Sequence, residues 1–247
     1  MTDRGWALVT GAARRIGRTL ALTAAQAGYD VLVHHHHSPD DAAETVRQIE
    51  ALARRALAVQ FDLASESLHP LIAAAPGPVT LLVNCASLFD DDRIRTLTPQ
   101  SWDAANAANL RGPVLLSQAF AAALPEGRGG LIVNIVDQRV LRPTPQFFSY
   151  ALSKAGLWDA TRMMAQALAP NIRVNGIGPG PTLPSTHQSP EEFAAEAEHI
   201  LLQRRSTPEE IAQALAYLID AAAVTGQMIA VDGGQHLAWR TPDVIGP

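Results

Sequence analysis

Short apolar runs alternate along the chain with longer segments whose apolar residues recur every three or four positions. The runs WALVT (6–10), DVLVH (30–34), ALAVQF (56–61), TLLVN (80–84), LIVNIV (131–136), IRVNGI (172–177) and MIAVD (228–232) are almost unbroken in apolar residues. That is the pattern of strands buried on both faces. Between them, RRIGRTLALTAAQAG, DDAAETVRQIEALAR, SWDAANAANLRGPVLLSQAFAAAL, YALSKAGLWDATRMMAQALA and PEEIAQALAYLIDA are Ala-rich and amphipathic, and read as helices. Strand then helix, repeated, predicts right-handed crossovers and an α/β fold: a doubly wound parallel sheet with helices on both faces. The Pro/Gly-rich stretch GIGPGPTLPSTHQSP (176–190) is a loop before a further strand. PEEFAAEAEHI (190–200) reads as a short amphipathic helix, so a substrate loop and lid are expected over about 181–205.

Nothing in the 247 residues marks a boundary, and one domain over 1–247 is expected. A net charge of −5 gives no reason to expect nucleic acid or an anionic membrane as partner. The single cysteine, Cys85, fits a reducing compartment. The N-terminus has no apolar stretch of signal-peptide length, and no segment approaches the roughly 18 apolar residues of a membrane span. A soluble cytoplasmic protein is the expectation.

Two motifs carry chemistry. LVTGAARRIGR places a Gly-bearing turn between the first strand and the first helix, where backbone N–H groups and a helix N-terminus can meet a pyrophosphate. Two glycines near a helix start also occur in plain tight turns. YALSK sets Tyr150 and Lys154 four apart, on one helix face. An ammonium beside a phenol favours phenolate, so the pair predicts a tyrosine with a lowered pKa, serving as general acid or base.

The order of these pieces, with NCAS (84–87) before the tyrosine and GPGPT (178–182) after it, resembles the short-chain dehydrogenase/reductase family over essentially the whole chain. The resemblance implies a seven-stranded Rossmann fold that binds a nicotinamide dinucleotide across the carboxyl ends of its strands. It implies cofactor contacts from Gly11, Arg14, Arg15, Ile16 and Gly17 in the first turn, and from Asp62 and Leu63 after the third strand. Asn84, Ala86, Ser87, Lys154, Pro179 and Gly180 complete that set. Asn109 is implied as a support for the catalytic lysine through water, and a homotetramer as the assembly.

Departures from the wider family are informative. The usual serine about a dozen residues before the tyrosine is Asp137 here. Together with Ala12-Ala13-Arg14-Arg15 and Ala86-Ser87-Leu88-Phe89, this is similar to pteridine and dihydromonapterin reductases. The end of strand two, where an acid would select NAD, reads His34 to Ser38, so His36, His37 and Ser38, with Arg14, fall on the positions that take the 2′-phosphate of NADPH. Asp40 and Asp41 follow Ser38-Pro39 and favour a helix N-terminus instead. No metal site is expected, because consecutive histidines on a strand alternate faces.

The implied activity is an NADPH-dependent reduction of a pterin. Tyr150 would be the proton donor, with Lys154 and Asp137 activating it, and Arg15, Ser87 and Phe89 would hold the substrate, Phe89 as the upper layer over the nicotinamide. A carbonyl reductase acting on a 3-oxoacyl thioester or another ketone remains the alternative within enzymes, and a catalytically silent NADP(H)-binding regulator the alternative outside them. The sequence does not distinguish one pterin from another, or from dihydrofolate.

Overall fold

The computed structural model describes residues 4–184, 197 and 200–239. Seven parallel strands form one sheet: β1 (Trp6–Val9), β2 (Asp30–His35), β3 (Ala56–Gln60), β4 (Val79–Asn84), β5 (Gly130–Ile135), β6 (Ile172–Pro179) and β7 (Met228–Val231). Their spatial order is β3-β2-β1-β4-β5-β6-β7, so the order reverses between β1 and β4. A crevice outside the carboxyl ends of the strands is expected at such a reversal. No described helix is long and apolar enough to cross a membrane.

Alternation along each strand sends side chains to two cores. Ala7, Val9, Val31 and Val33 pack on one face under α1 (Arg15–Gln26) and α7 (Pro208–Asp220), with Leu20 and Leu215. Trp6, Leu8 and Leu32 face the other way, against Leu71 of α3 (His69–Ala73) and Leu116 and Phe120 of α5 (Gly112–Ala123). α2 (Pro39–Glu50) starts as the sequence indicated, with Ser38 before it, Pro39 in its first turn, and Asp40 and Asp41 near its N-terminus. α6 (Phe148–Ala167) carries Tyr150 and Lys154.

Two expectations need correction. β3 is not buried on both faces: it is the sheet edge, and Leu57 is 41% exposed. The long helical segment after β4 is divided. α4 (Pro99–Asn106), started by a Thr98–Ser101 capping box, passes through a π turn at Ala107–Arg111 before continuing as α5. The turn carries Asn109 into the interior. The predicted helix at 190–200 lies almost wholly outside the described residues, as does most of the lid.

Candidate active site

A cleft of about 720 Å³ runs across the carboxyl ends of the strands. At one end it is bounded by the first turn, from Gly11 and Arg14 to Gly17, and by His34 to Ser38. Ala86, Ser87 and Lys154 line its middle, and Pro179 and Gly180 also reach it. Phe89, Asp137, Arg139, Phe147 and Tyr150 form the other end.

The first turn is held by contacts that require its glycines. Gly11 has φ +65, and a Cβ there would lie 3.0 Å from the Cα of Ala86. A Cβ at Gly17 would fall 2.1 Å from the carbonyl oxygen of Gly11. The Thr10 hydroxyl oxygen accepts hydrogen bonds from Cys85 N (2.8 Å) and Ala86 N (3.0 Å), tying the turn to the end of β4. No side chain caps the start of α1, so its first N–H groups are left for a ligand.

Three of the histidines at 34–37 divide between two roles. His34 is buried, and its Nδ1 accepts from Gly11 N at 3.0 Å while Nε2 faces the carbonyl of Phe61 at 3.1 Å. It is a neutral Nε2–H imidazole that fixes the turn, and burial lowers its pKa to about 4. His36 and His37 stack at 3.6 Å between ring centroids and line the cleft beside Ser38 and Arg14. Among the described residues, the acids lining the cleft are Asp91 and Asp137, and neither belongs to the β2 end. This donor-rich, acid-free end fits a dinucleotide bearing a 2′-phosphate.

The protonation of His34 has a consequence for stability. The unfolded chain binds the proton at about pH 6.5 and the folded protein only near 4, so the stabilisation is complete above 6.5 and lost as pH falls from 6.5 to 4. The loss attributable to this one group is about 3 kcal/mol. His34→Asn keeps an acceptor near Gly11 but cannot titrate. Denaturant unfolding across that window should show the unaltered protein losing stability more steeply than the variant; equal slopes would refute the assignment.

At the other end, Tyr150 donates its hydroxyl proton to Asp137 Oδ2 at 2.7 Å. Asp137 Oδ1 accepts from Arg139 N at 2.7 Å, which aims the carboxylate. Lys154 Nζ donates to the carbonyl of Ile135 at 2.7 Å and lies 5.8 Å from the Tyr150 ring centroid. The expected lowering of the Tyr150 pKa by Lys154 is therefore corrected. Burial, first, and the Asp137 carboxylate, second, raise it well above the ordinary value. The phenol is held neutral, with a proton to give. Burial lowers Lys154 to about 8. Its ammonium makes a single hydrogen bond among the described residues, which leaves donors for a ribose hydroxyl.

Four of the residues implied for the site are not among those that line the cleft. Asn84 is buried and donates to Asn134 Oδ1 at 2.8 Å, bridging β4 and β5. Asn109 accepts from Leu88 N (2.8 Å) and Ser87 Oγ (3.2 Å) and donates to Leu88 O (2.9 Å) and Ser153 Oγ (3.1 Å). It joins the loop after β4 to α6 and makes no direct bond to Lys154. Asp62 accepts from Ala64 N in its own turn, and Leu63 packs in the core. Arg15 does line the cleft, but its guanidinium donates to the carbonyls of Leu183 and Pro184 instead of facing open space.

Phe89 lines the cleft as part of an aromatic cluster. It stacks on Phe147 at 4.2 Å and meets the Tyr150 ring edge-on at 4.6 Å. Phe147 has φ +53, costly for a bulky residue, at the entry to α6. Asp92 secures that entry: its carboxylate accepts from Ser149 N at 2.9 Å and its carbonyl from Phe148 N at 3.1 Å. Asp92, Arg139 and Phe147 had no signal in the sequence beyond their nearness to the motifs.

A family model described as Enoyl-(Acyl carrier protein) reductase matches residues 11–236. A solved structure of FolM alternative dihydrofolate reductase 1 from Brucella suis, in complex with NADP, is 46% identical, covers 99% of this chain and 100% of its own, and superposes with a TM-score of 0.95. The 3-oxoacyl-[acyl-carrier-protein] reductase FabG of Staphylococcus epidermidis is 31% identical over 240 residues, covering 94% of this chain and 98% of that protein. The 2-dehydro-3-deoxy-D-gluconate 5-dehydrogenase of Escherichia coli is 32% identical over 240 residues, covering 92% of this chain and 94% of the relative.

Proposed function

The chain belongs to the short-chain dehydrogenase/reductase family, and from that premise we propose that it is an NADPH-dependent reductase of a pterin ring. The observation that carries this reading is the Asp137 carboxylate at 2.7 Å from the Tyr150 hydroxyl, beneath an aromatic pair. A carboxylate there holds the phenol protonated and also presents an acceptor to the N–H groups of a heterocycle. A ketone offers no such donor. The 46% identity to the Brucella suis FolM structure supports the same substrate class. The same reading implies a homotetrameric cytoplasmic enzyme.

When bound, NADPH supplies the hydride, which adds to the carbon of a C=N bond in the pterin. Tyr150 gives its proton to the adjacent nitrogen, so that C=N becomes CH–NH. Asp137 orients that proton beforehand. Arg14, His36, His37 and Ser38 would hold the 2′-phosphate, and the uncapped N-terminus of α1 would take the pyrophosphate. The Phe89–Phe147 pair keeps water from the reacting end and offers an apolar wall to a flat ring.

A 2,4-diaminopteridine should compete for this slot. In the presence of NADPH it should raise the melting temperature and inhibit turnover competitively with a dihydropterin. Absence of both effects, with simple ketones turned over, would transfer the assignment to a carbonyl reductase, the reading favoured by the likeness to FabG.

A further inference from the structure

Arg139 lies in the short 3₁₀ turn Gln138–Val140 that follows Asp137, at the same end of the cleft as Tyr150. Its guanidinium carbon sits 5.7 Å from the Phe89 ring centroid and 5.3 Å from that of Phe147, beside the stacked pair. Its side chain is 22% exposed, and its one ion-pair partner among the described residues is Asp137, with Nη1 3.6 Å from Oδ2. That separation is an ion pair without a hydrogen bond. Among the described residues the guanidinium makes no hydrogen bond, so its N–H donors, fixed in a planar fork, are left facing a cleft. Donors that are both part-buried and unmatched are costly unless a ligand takes them up.

We propose that Arg139 is a specificity-determining residue that donates to a ring carbonyl of the substrate while Asp137 beside it accepts from a ring N–H, so that the pair reads a cyclic amide edge. A guanidinium and a carboxylate side by side present donor and acceptor next to each other, the complement of –NH–C=O. The aromatic pair holds the guanidinium in place by cation–π contact and gives the ring a flat wall. The 4-oxo pterin edge has this pattern. An acyclic ketone lacks the N–H, and a 2,4-diaminopteridine lacks the carbonyl. This assignment rests on the pterin reading above and adds the part of the substrate that is recognised.

The test compares binding of 7,8-dihydrobiopterin and 2,4-diaminopteridine to the NADP-loaded protein by fluorescence titration, in the unaltered chain and in Arg139→Met. Methionine keeps length and packing on the phenylalanines but removes the donors. The expected result is a loss of about ten-fold or more for the oxo compound. The loss should be at least five times the change seen for the diamino compound. Arg139→Lys, which keeps the charge but not the fork, should fall between the two and also serves if the methionine variant does not fold. A smaller ratio, or equal losses for both ligands, overturns the proposal while the pterin reading stands. If the unaltered protein binds neither ligand, the pterin reading fails and this proposal with it.

Discussion

Tyr150→Phe should lower turnover by about 10²–10⁴-fold, because it deletes the proton donor and keeps the ring. The hydroxyl makes one protein hydrogen bond, to Asp137, and the ring keeps its edge contact with Phe89, so the fold has little to lose. Affinity for NADPH should change far less than turnover, since no contact that shapes the first turn involves the phenol. Steady-state kinetics alongside a cofactor titration separate the two. A fall of less than ten-fold would mean that the proton reaches the substrate from another group.

Gly17→Ala should have the other large effect, and on a different quantity. The added Cβ would stand 2.1 Å from the Gly11 carbonyl oxygen and 2.7 Å from its carbon, both rigid main chain. The turn must open, and with it go the His34–Gly11 bond and the seating of the turn on Ala86. The expected cost is about 3 kcal/mol or more of stability, at the large end for a single substitution. Cofactor affinity should fall by about 100-fold or more, since the N–H groups that meet the pyrophosphate are moved. Gly129→Ala is the control: its nearest atom would be 3.9 Å away, so its stability should stay within about 0.5 kcal/mol of the original. Denaturant unfolding of both variants, with comparable losses, would show that the crowding at Gly17 is relieved cheaply.

The strands were legible because a sheet buried on both faces leaves long apolar runs, and each predicted run lies within two residues of an observed strand. β3 carries the same composition at an edge, and edge position depends on partners that composition does not encode. Tyr150 and Lys154 were legible as neighbours because helix periodicity fixes which side chains share a face. What they do to each other was not. Burial raises the Tyr150 pKa most, and the charge that adds to it comes from Asp137, on the turn after β5. Asp92 was hidden for a similar reason: it meets Ser149 across 57 residues, and no local pattern signals such a contact. Asn84 and Asn109 were implied by resemblance as parts of the site. Their amides tie elements together beneath it.

If the Asp137–Tyr150 pair serves reduction of a pterin C=N bond, NADPH oxidation assayed side by side with a dihydropterin and a 3-oxoacyl thioester will show it. The expected kcat/KM for the dihydropterin is at least about ten-fold above that for the thioester, with the dihydropterin activity lost in Tyr150→Phe. Turnover of the thioester alone, or a preference for it of similar size, would instead identify a carbonyl reductase.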